Sequence, residues 1–359
     1  MRGARAHIVH ARGAMPDLQS RVTLAKLTTE DRGLLRCTAC AHRCVLGTER
    51  RVGACGVRFV SEGKVYAPFG YVARRYVRAI ESNTVYHVEP GAKALTFGMY
   101  GCDLRCPYCH NWKLSQALRE GLEPAPIDIT PAALVDEAMV EGCRAICAAY
   151  NEPMIAAEWV RAIFEVAKRR GLRTMIVSDG NTTGEALEYV RPYTDVFRVD
   201  LKGWTAEHYR TLGGRVEPVL EAIAEARRLG LWVEVVTLVV PGFNDDLGGL
   251  RLLAKKLLAI DPDIPWHLNA FQPRYRMLDR PAMAPGLLVS AAGAAFARGL
   301  RFVYVGNVST TCAELEHTRC PACRETLVER FSYTTRANKL REGRCVHCRT
   351  PIPGLWSKN

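Results

Sequence analysis

Short β-branched runs alternate with amphipathic segments from Lys93 onward, and this alternation limits the fold more than any other feature of the chain. Runs with the composition of strands lie at residues 94–97, 145–149, 173–177, 196–201, 231–239, 266–270 and 302–305. The segments between them have helical periodicity, and one begins with a Thr130 cap followed by Pro131. Because strands that alternate with helices form parallel sheets, we expect an α/β fold in the form of a partial (β/α)6 barrel.

The barrel is predicted over residues 93–310, with a small cysteine-bearing module on each side. Residues 21–92 form the N-terminal module and residues 311–359 the C-terminal one. Residues 1–20 are expected to be a disordered leader, and Met15 is an alternative start. No run approaches the roughly 18 apolar residues of a membrane span, so we expect a cytoplasmic protein.

A local set of three cysteines follows the first predicted strand of the barrel. Cys102, Cys106 and Cys109 have CxxxCxxC spacing on one short loop. Iron-sulfur clusters normally use four thiolates, so three at the carboxyl end of a strand predict a 4Fe-4S cluster with one iron free to bind another molecule. The alternative is a zinc knuckle whose fourth ligand is His110 or a distant residue.

This loop resembles the signature of the radical S-adenosylmethionine (SAM) superfamily, in which an aromatic residue, here Tyr108, precedes the last cysteine. The sequence from Tyr108 to Asn111 is similar to that of pyruvate formate-lyase activating enzymes in particular. The resemblance implies a radical SAM oxidoreductase: SAM chelates the open iron, a reductant such as flavodoxin or ferredoxin supplies one electron, and the resulting 5′-deoxyadenosyl radical abstracts hydrogen from a protein or small-molecule substrate. It also implies that the chain could act as a glycyl-radical activating enzyme.

The same resemblance implies a set of SAM-binding residues at the ends of the later strands: Tyr108, Asn151, Glu152, Ser178, Asp200, Lys202 and His267. Glu152 stands where the family has Gly-Gly-Glu-Pro and would accept from the SAM ammonium, although the two glycines are absent here. Ser178 would contribute a short polar group at the rim.

Asp200 and Lys202 resemble the Asp-x-Lys motif of the activating enzymes and are assigned to the SAM ribose and carboxylate. They face the same side of a strand, so a simple ion pair is the alternative. His267 is placed beside the adenosyl group, with a buried structural histidine as its alternative.

Two cysteine quartets flank the barrel and are predicted to bind metal: Cys37, Cys40, Cys44 and Cys55 on one side, and Cys320, Cys323, Cys345 and Cys348 on the other. The second quartet has the spacing of a zinc ribbon, and we expect zinc there. Zinc is also favoured at the N-terminal quartet, where an auxiliary 4Fe-4S cluster is the alternative. We further expect the C-terminal module to be a lid that docks the substrate.

Taken together, the quartets, Arg58, the Tyr-Asn-Glu-Pro sequence and the C-terminal ribbon resemble the radical SAM member of the AmmeMemoRadiSam system, from about Cys37 to Trp356. The formal net charge of +12 favours a different function, a radical SAM RNA-modifying or nucleic-acid-binding protein. Its basic runs, at residues 74–78 and 168–170, have the pattern of solvated faces, and we therefore expect nucleic acid not to be the partner.

Overall fold

The computed structural model describes residues 16–47, 51–308 and 310–357. Most of the expected leader, including Met15, therefore lies outside the described residues. Among the described residues, no helix has the length and apolar character that crossing a membrane requires.

The N-terminal part forms a short helix and short strands: α1 (Pro16–Gln19), β1 (Val22–Leu24), β2 (Thr28–Asp31), β3 (Leu34–Cys37), β4 (Val45–Leu46), β5 (Phe59–Ser61), β6 (Lys64–Pro68) and β7 (Tyr71–Val72). The central part continues with β8 (Arg74–Ala79), β9 (Lys93–Gly98), α2 (Trp112–Ser115), β10 (Ile127–Asp128), α3 (Pro131–Val140), β11 (Ala145–Ala148), α4 (Ala157–Arg169), β12 (Arg173–Ser178), α5 (Gly184–Val190), β13 (Val196–Asp200), α6 (Ala206–Leu212), α7 (Val216–Arg228), β14 (Trp232–Val239), α8 (Leu247–Ile260), β15 (Trp266–Ala270), α9 (Pro285–Arg298) and β16 (Val303–Gly306). The C-terminal part contains β17 (Thr318–Arg319), β18 (Thr326–Phe331) and β19 (Thr334–Asn338). Short 3-10 helices lie at Ile80–Asn83, Pro153–Ala156, Arg191–Tyr193 and Thr310–Glu316.

An eight-stranded sheet in the order β16-β15-β14-β13-β12-β11-β9-β8 forms the centre of the molecule. The strands from β9 to β16 are parallel, and β8 adds an antiparallel edge. In the described part of the chain β16 and β8 remain edges, so the barrel is open. The predicted α/β fold is confirmed.

Helices cover the outer face of this sheet, and α3, α5, α6 and α8 begin at side-chain caps. Thr130 accepts from Ala133 N at 3.1 Å, and Asp246 accepts from Gly249 N at 2.7 Å. Such caps favour the start of these helices directly after their loops, because they satisfy amide groups that have no partner within the helix. Because the strands are parallel, the loops that leave their carboxyl ends gather at one edge of the sheet.

A buried ion pair joins the N-terminal part to the barrel. Arg58 donates to Glu158 on α4 through two contacts of 2.8 and 2.9 Å, and their side chains are 1% and 3% exposed. Glu158 also accepts from Lys26 N at 2.8 Å. Because a buried charge is costly without its partner, this contact holds the N-terminal strands in one position against α4.

The three C-terminal strands pack on the barrel through a second buried cation. Arg330 donates to Tyr86 O and to Thr318 Oγ1, each at 2.7 Å. Beyond the last strand, Leu355 N donates to His87 O at 2.8 Å. The C-terminal part is therefore attached to the segment between β8 and β9, beside the strand that precedes the cysteine loop.

Candidate active site

A cavity of about 570 Å³ opens at the carboxyl ends of the parallel strands. Its wall includes residues of the loop after β9, of β13, β14 and β15, and of the loops after β11, β12 and β16. Parallel α/β sheets collect functional groups at this edge because its loops vary on a rigid scaffold. The sequence-predicted residues that line the cavity are Cys102, Cys106, Cys109, Tyr108, Asn151, Asp200 and Lys202.

The cysteine loop is held by hydrogen bonds from several directions. Gln116 and Arg119 donate to Leu104 O at 3.1 and 2.9 Å, and Arg105 N donates to Leu212 O at 2.7 Å. At its start, Gly101 has a φ of 89°, and a Cβ there would lie 2.7 Å from Cys55 O. Glycine is required at this position because the loop leaves β9 in close contact with the N-terminal cysteine turn.

The sulfur atoms of this loop do not form a compact group. Among the described residues, Cys102, Cys106 and Cys109 do not bring their sulfur atoms within 4.8 Å of one another. Burial raises the pKa of the Cys106 thiol to about 12, so a bound metal must supply the positive charge that stabilises the thiolate. Three separated thiolates that face a cavity fit a cluster with an open iron better than the zinc-knuckle alternative.

A cluster of opposite charges occupies the end of β13. Lys202 Nζ lies 3.0 Å from Asp200 Oδ2, and Arg198 donates to the other oxygen of the same carboxylate. Burial opposes the charge of Lys202, but Asp200 and Cys106 raise its pKa well above the usual range. The ion pair given as the alternative thus exists, and together with Arg198 it places two cations and one anion on the cavity wall.

Asp179, rather than Glu152, presents a carboxylate to the cavity. Glu152 is 2% exposed and accepts from Ser178 Oγ at 3.0 Å, from Asp179 N at 2.7 Å and from Met154 N at 2.9 Å. Asp179 Oδ2 lies 3.8 Å from Cys102 Sγ. Glu152 and Ser178 therefore lie behind the cavity wall and hold the turn that carries Asp179.

The predicted placement of His267 beside the cavity is wrong. His267 is 1% exposed and donates from Nε2 to Glu234 at 2.7 Å, inside the sheet and below the cavity. Asn269, two residues further along β15, lines the cavity instead. The two side chains share a face of the strand, and only the one nearer the carboxyl end reaches the cavity.

Asn151 and Tyr108 line the cavity with different surroundings. Asn151 receives a hydrogen bond from Met99 N and donates to Gly101 O, both at 3.0 Å, so its amide fastens β11 to the cysteine loop. The hydroxyl of Tyr108 is buried without a partner among the described residues.

Tyr333 of the C-terminal part also lines the cavity and donates to Asn307 Oδ1 at 2.5 Å.

Comparison with known proteins matches residues 97–250, from the end of β9 into α8, to the radical SAM superfamily. These residues form a radical SAM domain. The match covers the cysteine loop and the strands that carry Asp179, Asp200 and Lys202.

Relatives of the chain extend beyond this domain. An uncharacterized protein of Methanocaldococcus jannaschii is 29% identical over 322 residues, which cover 89% of this chain and 95% of that protein. The pyruvate formate-lyase-activating enzyme of Staphylococcus epidermidis is 27% identical over 187 residues, which cover 48% of this chain and 71% of that enzyme. About half of this chain is thus similar to an activating enzyme, and most of it is similar to the archaeal protein.

Comparison with solved structures finds matches with TM-scores below 0.5. A domain of pyruvate-formate lyase-activating enzyme from Bacteroides vulgatus has 16% identity and a TM-score of 0.40, over 45% of this chain and 99% of that chain. A radical SAM methyltransferase from Sphaerobacter thermophilus has 13% identity and a TM-score of 0.46, over 81% of this chain and 80% of that chain.

The C-terminal quartet forms a compact ligand set outside the radical SAM domain. The sulfur atoms of Cys320 and Cys348 lie 3.5 Å apart, and those of Cys323 and Cys345 lie 3.6 Å apart. All four ligand atoms lie within 4.8 Å of one another. The N-terminal quartet is buried, yet among the described residues no three of its sulfur atoms form such a group.

Proposed function

We propose that this chain is a radical SAM enzyme that holds a 4Fe-4S cluster on Cys102, Cys106 and Cys109 and binds SAM in the adjoining cavity. The observation that carries the proposal is the placement of three separated cysteine sulfurs on the wall that also bears Asp179, Asp200 and Lys202. When bound, the cluster would supply one electron to the sulfonium of SAM, which would divide into methionine and a 5′-deoxyadenosyl radical that abstracts a hydrogen atom from the substrate.

The charged groups of the cavity suit the carboxylate and the ammonium group of SAM. Lys202 and Arg198 place positive charge where the SAM carboxylate would bind, and Asp200 keeps both cations oriented. Asp179 takes the role expected of Glu152 and accepts from the SAM ammonium beside Cys102. Glu152 is then a positioning residue, because its carboxylate accepts from Asp179 N.

The test is reductive cleavage of SAM under anaerobic conditions. Reconstituted protein with dithionite and SAM should release 5′-deoxyadenosine, and changing Cys102, Cys106 and Cys109 together to alanine should abolish the release. Cys143→Ala is the matched control, since Cys143 is buried near the end of α3 and does not line the cavity. Release of 5′-deoxyadenosine by the triple variant would refute the assignment.

The substrate is proposed to enter past the C-terminal module. Tyr333 lies in the turn between β18 and β19 and lines the cavity beside Asn307, so a residue of this module reaches the site. This contact supports the expected role of the module in docking the substrate. Similarity to an activating enzyme favours a glycyl-radical protein as substrate, and an electron paramagnetic resonance (EPR) signal of a glycyl radical in a candidate acceptor would test this.

We also propose membership of the AmmeMemoRadiSam family, on the motifs and the length of chain that carry the resemblance. Nucleic acid is the less favoured partner, since the basic run at residues 168–170 is paired: Lys168 contacts Asp195, Arg169 contacts Glu165, and Arg170 contacts Asp136. Binding of labelled tRNA that weakens steeply with salt would favour the alternative function.

Zinc is proposed at the C-terminal quartet. A tetrahedral zinc ion with Zn–S bonds of about 2.3 Å holds its sulfur atoms about 3.8 Å apart. The sulfur atoms of Cys320 and Cys348 lie 3.5 Å apart and those of Cys323 and Cys345 lie 3.6 Å apart, and both distances are close to that value. Elemental analysis should find about one zinc per chain that is lost when Cys320 and Cys323 are changed to serine.

A further inference from the structure

The N-terminal quartet is built as an enclosed metal site. Cys37 ends β3, Cys40 and Cys44 lie in the turn that follows, and Cys55 comes from the next loop. Each of the four residues is 6 or 7% exposed. Ala54 N lies 3.3 Å from Cys44 Sγ and donates to it, as backbone amides do to the thiolate ligands of metal centres.

The spacing of the sulfur atoms differs between this quartet and the C-terminal quartet, for which zinc is proposed. In the C-terminal quartet all four lie within 4.8 Å of one another, whereas in the N-terminal quartet, among the described residues, no three do. The cysteine loop of the radical SAM domain shares the wider spacing. A cubane carries its irons at separate corners and so holds its cysteines further apart than the roughly 3.8 Å set by a single tetrahedral zinc ion.

The quartet also adjoins the cysteine loop directly. Arg119 Nη2 donates to Ala54 O and to Cys102 O, each at 2.7 Å, so the two carbonyl oxygens are at most twice that distance apart. His42 Nε2 donates to Asp103 O at 3.2 Å, which ties the turn of the quartet to the residue after Cys102. The backbone that carries the N-terminal quartet is therefore joined to the backbone of the cysteine loop through shared side-chain contacts.

We infer that the N-terminal quartet binds a 4Fe-4S cluster that exchanges electrons with the cluster on Cys102, Cys106 and Cys109. A one-electron reductant of low potential is oxidised by one electron at the quartet, and that electron passes to the neighbouring centre. No bond of the protein forms or breaks in this transfer. The inference reverses the preference for zinc that the sequence gives at this quartet, and its second part rests on the proposed function.

The metal of the quartet is tested first, in a variant that lacks the other cluster. The triple Cys102→Ala, Cys106→Ala, Cys109→Ala protein, reconstituted anaerobically with iron and sulfide, should hold about four irons, about four acid-labile sulfides and about one zinc per chain. Adding Cys40→Ala to the triple variant should remove the iron and leave the zinc. Adding Cys143→Ala instead should change neither, because Cys143 lies outside both quartets.

About two zincs and no iron in the triple variant would overturn the inference. This measurement needs neither SAM nor turnover, so it stands or falls separately from the proposed SAM cleavage. If Cys40→Ala prevents folding, the iron and sulfide content of the triple variant still decides.

Electron exchange is tested by EPR of the dithionite-reduced proteins. The spectrum of the two-cluster protein should differ from the sum of the spectra of the triple variant and of Cys40→Ala, because two reduced clusters this close interact magnetically. A spectrum equal to that sum would refute exchange between the two centres.

Discussion

Lys202→Met tests the charge arrangement of the cavity most directly. Methionine keeps much of the length and apolar volume of the lysine stem and removes only its ammonium. The Lys202 side chain is 13% exposed, and Asp200 remains paired with Arg198 after the change, so the carboxylate is not left without a cation. We therefore expect the fold and the cluster to persist.

The expected effect falls on SAM affinity. A hydrogen bond to a charged group contributes about 1.5–3 kcal/mol, which corresponds to a rise in Kd of roughly 10- to 150-fold. The raised pKa of Lys202 keeps its ammonium charged through the neutral range, so the loss should be the same at pH 7 and pH 8.

The assay is anaerobic titration of the reconstituted protein with SAM, followed through the change in the EPR spectrum of the reduced cluster. Lys168→Met is the matched control, because this lysine pairs with Asp195 on the outer surface. An unchanged Kd in Lys202→Met, with iron content equal to that of the wild type, would refute the placement of the SAM carboxylate at the end of β13.

Three further outcomes are expected. Glu158→Gln should lower the free energy of unfolding by about 3–5 kcal/mol in urea denaturation, because it leaves Arg58 buried and unpaired. Glu165→Gln, in the exposed pair with Arg169, should lower it by less than about 1 kcal/mol. Equal effects of the two changes would contradict the role of the buried pair. Burial lowers the pKa of His87 to about 4, so the unfolded chain binds the proton first as pH falls below about 6.5, and wild-type stability should fall by roughly 3 kcal/mol down to pH 4. His87→Gln should have a shallower pH dependence over that window, and an identical slope would refute the assignment. Tyr333→Ala should weaken substrate binding while uncoupled release of 5′-deoxyadenosine continues, as product analysis with and without the substrate can show.

The parallel strands could be predicted from the sequence to within about one residue. A strand buried on both faces reads as a continuous apolar run, and these runs end at polar residues such as Asp200. β8 was not predicted, because its residues include Arg74, Arg75 and Arg78, and such an edge strand resembles a basic surface run. Its pairing with β9 is set by tertiary contacts that a single sequence does not display.

The cavity residues were harder to assign than the strands. Both Glu152 and Asp179 follow strands, and the sequence does not tell which carboxylate turns outward. In the structure Gly180 has a φ of 78°, and a Cβ there would lie 2.7 Å from Val219 Cγ1, so the turn depends on glycine and directs Asp179 to the cavity. The sequence signal that favours Asp179 is the glycine at position 180, directly after this acid at the end of a strand.

The misplacement of His267 has a physical reason that also explains how the C-terminal module is positioned. Glu234 accepts from Tyr86 N, His87 N and Trp232 Nε1 as well as from His267, at distances between 2.7 and 3.0 Å. Burial alone would raise the pKa of Glu234, but the hydrogen bonds that it accepts from His267 and from Tyr86 N lower it to about 2, so the carboxylate is ionised and fully satisfied.

This network fixes the backbone of residues 86–87, and that backbone receives the C-terminal module. Tyr86 O accepts from Arg330, and His87 O accepts from Leu355 N. Arg330 lies on β18, one residue before the end of that strand, and Ser332 and Tyr333 form the turn that follows. The position of Tyr333 at the cavity therefore depends on the polar groups below the cavity. A histidine that never contacts SAM would thus still affect substrate docking, and His267→Gln should alter substrate affinity more than the affinity for SAM.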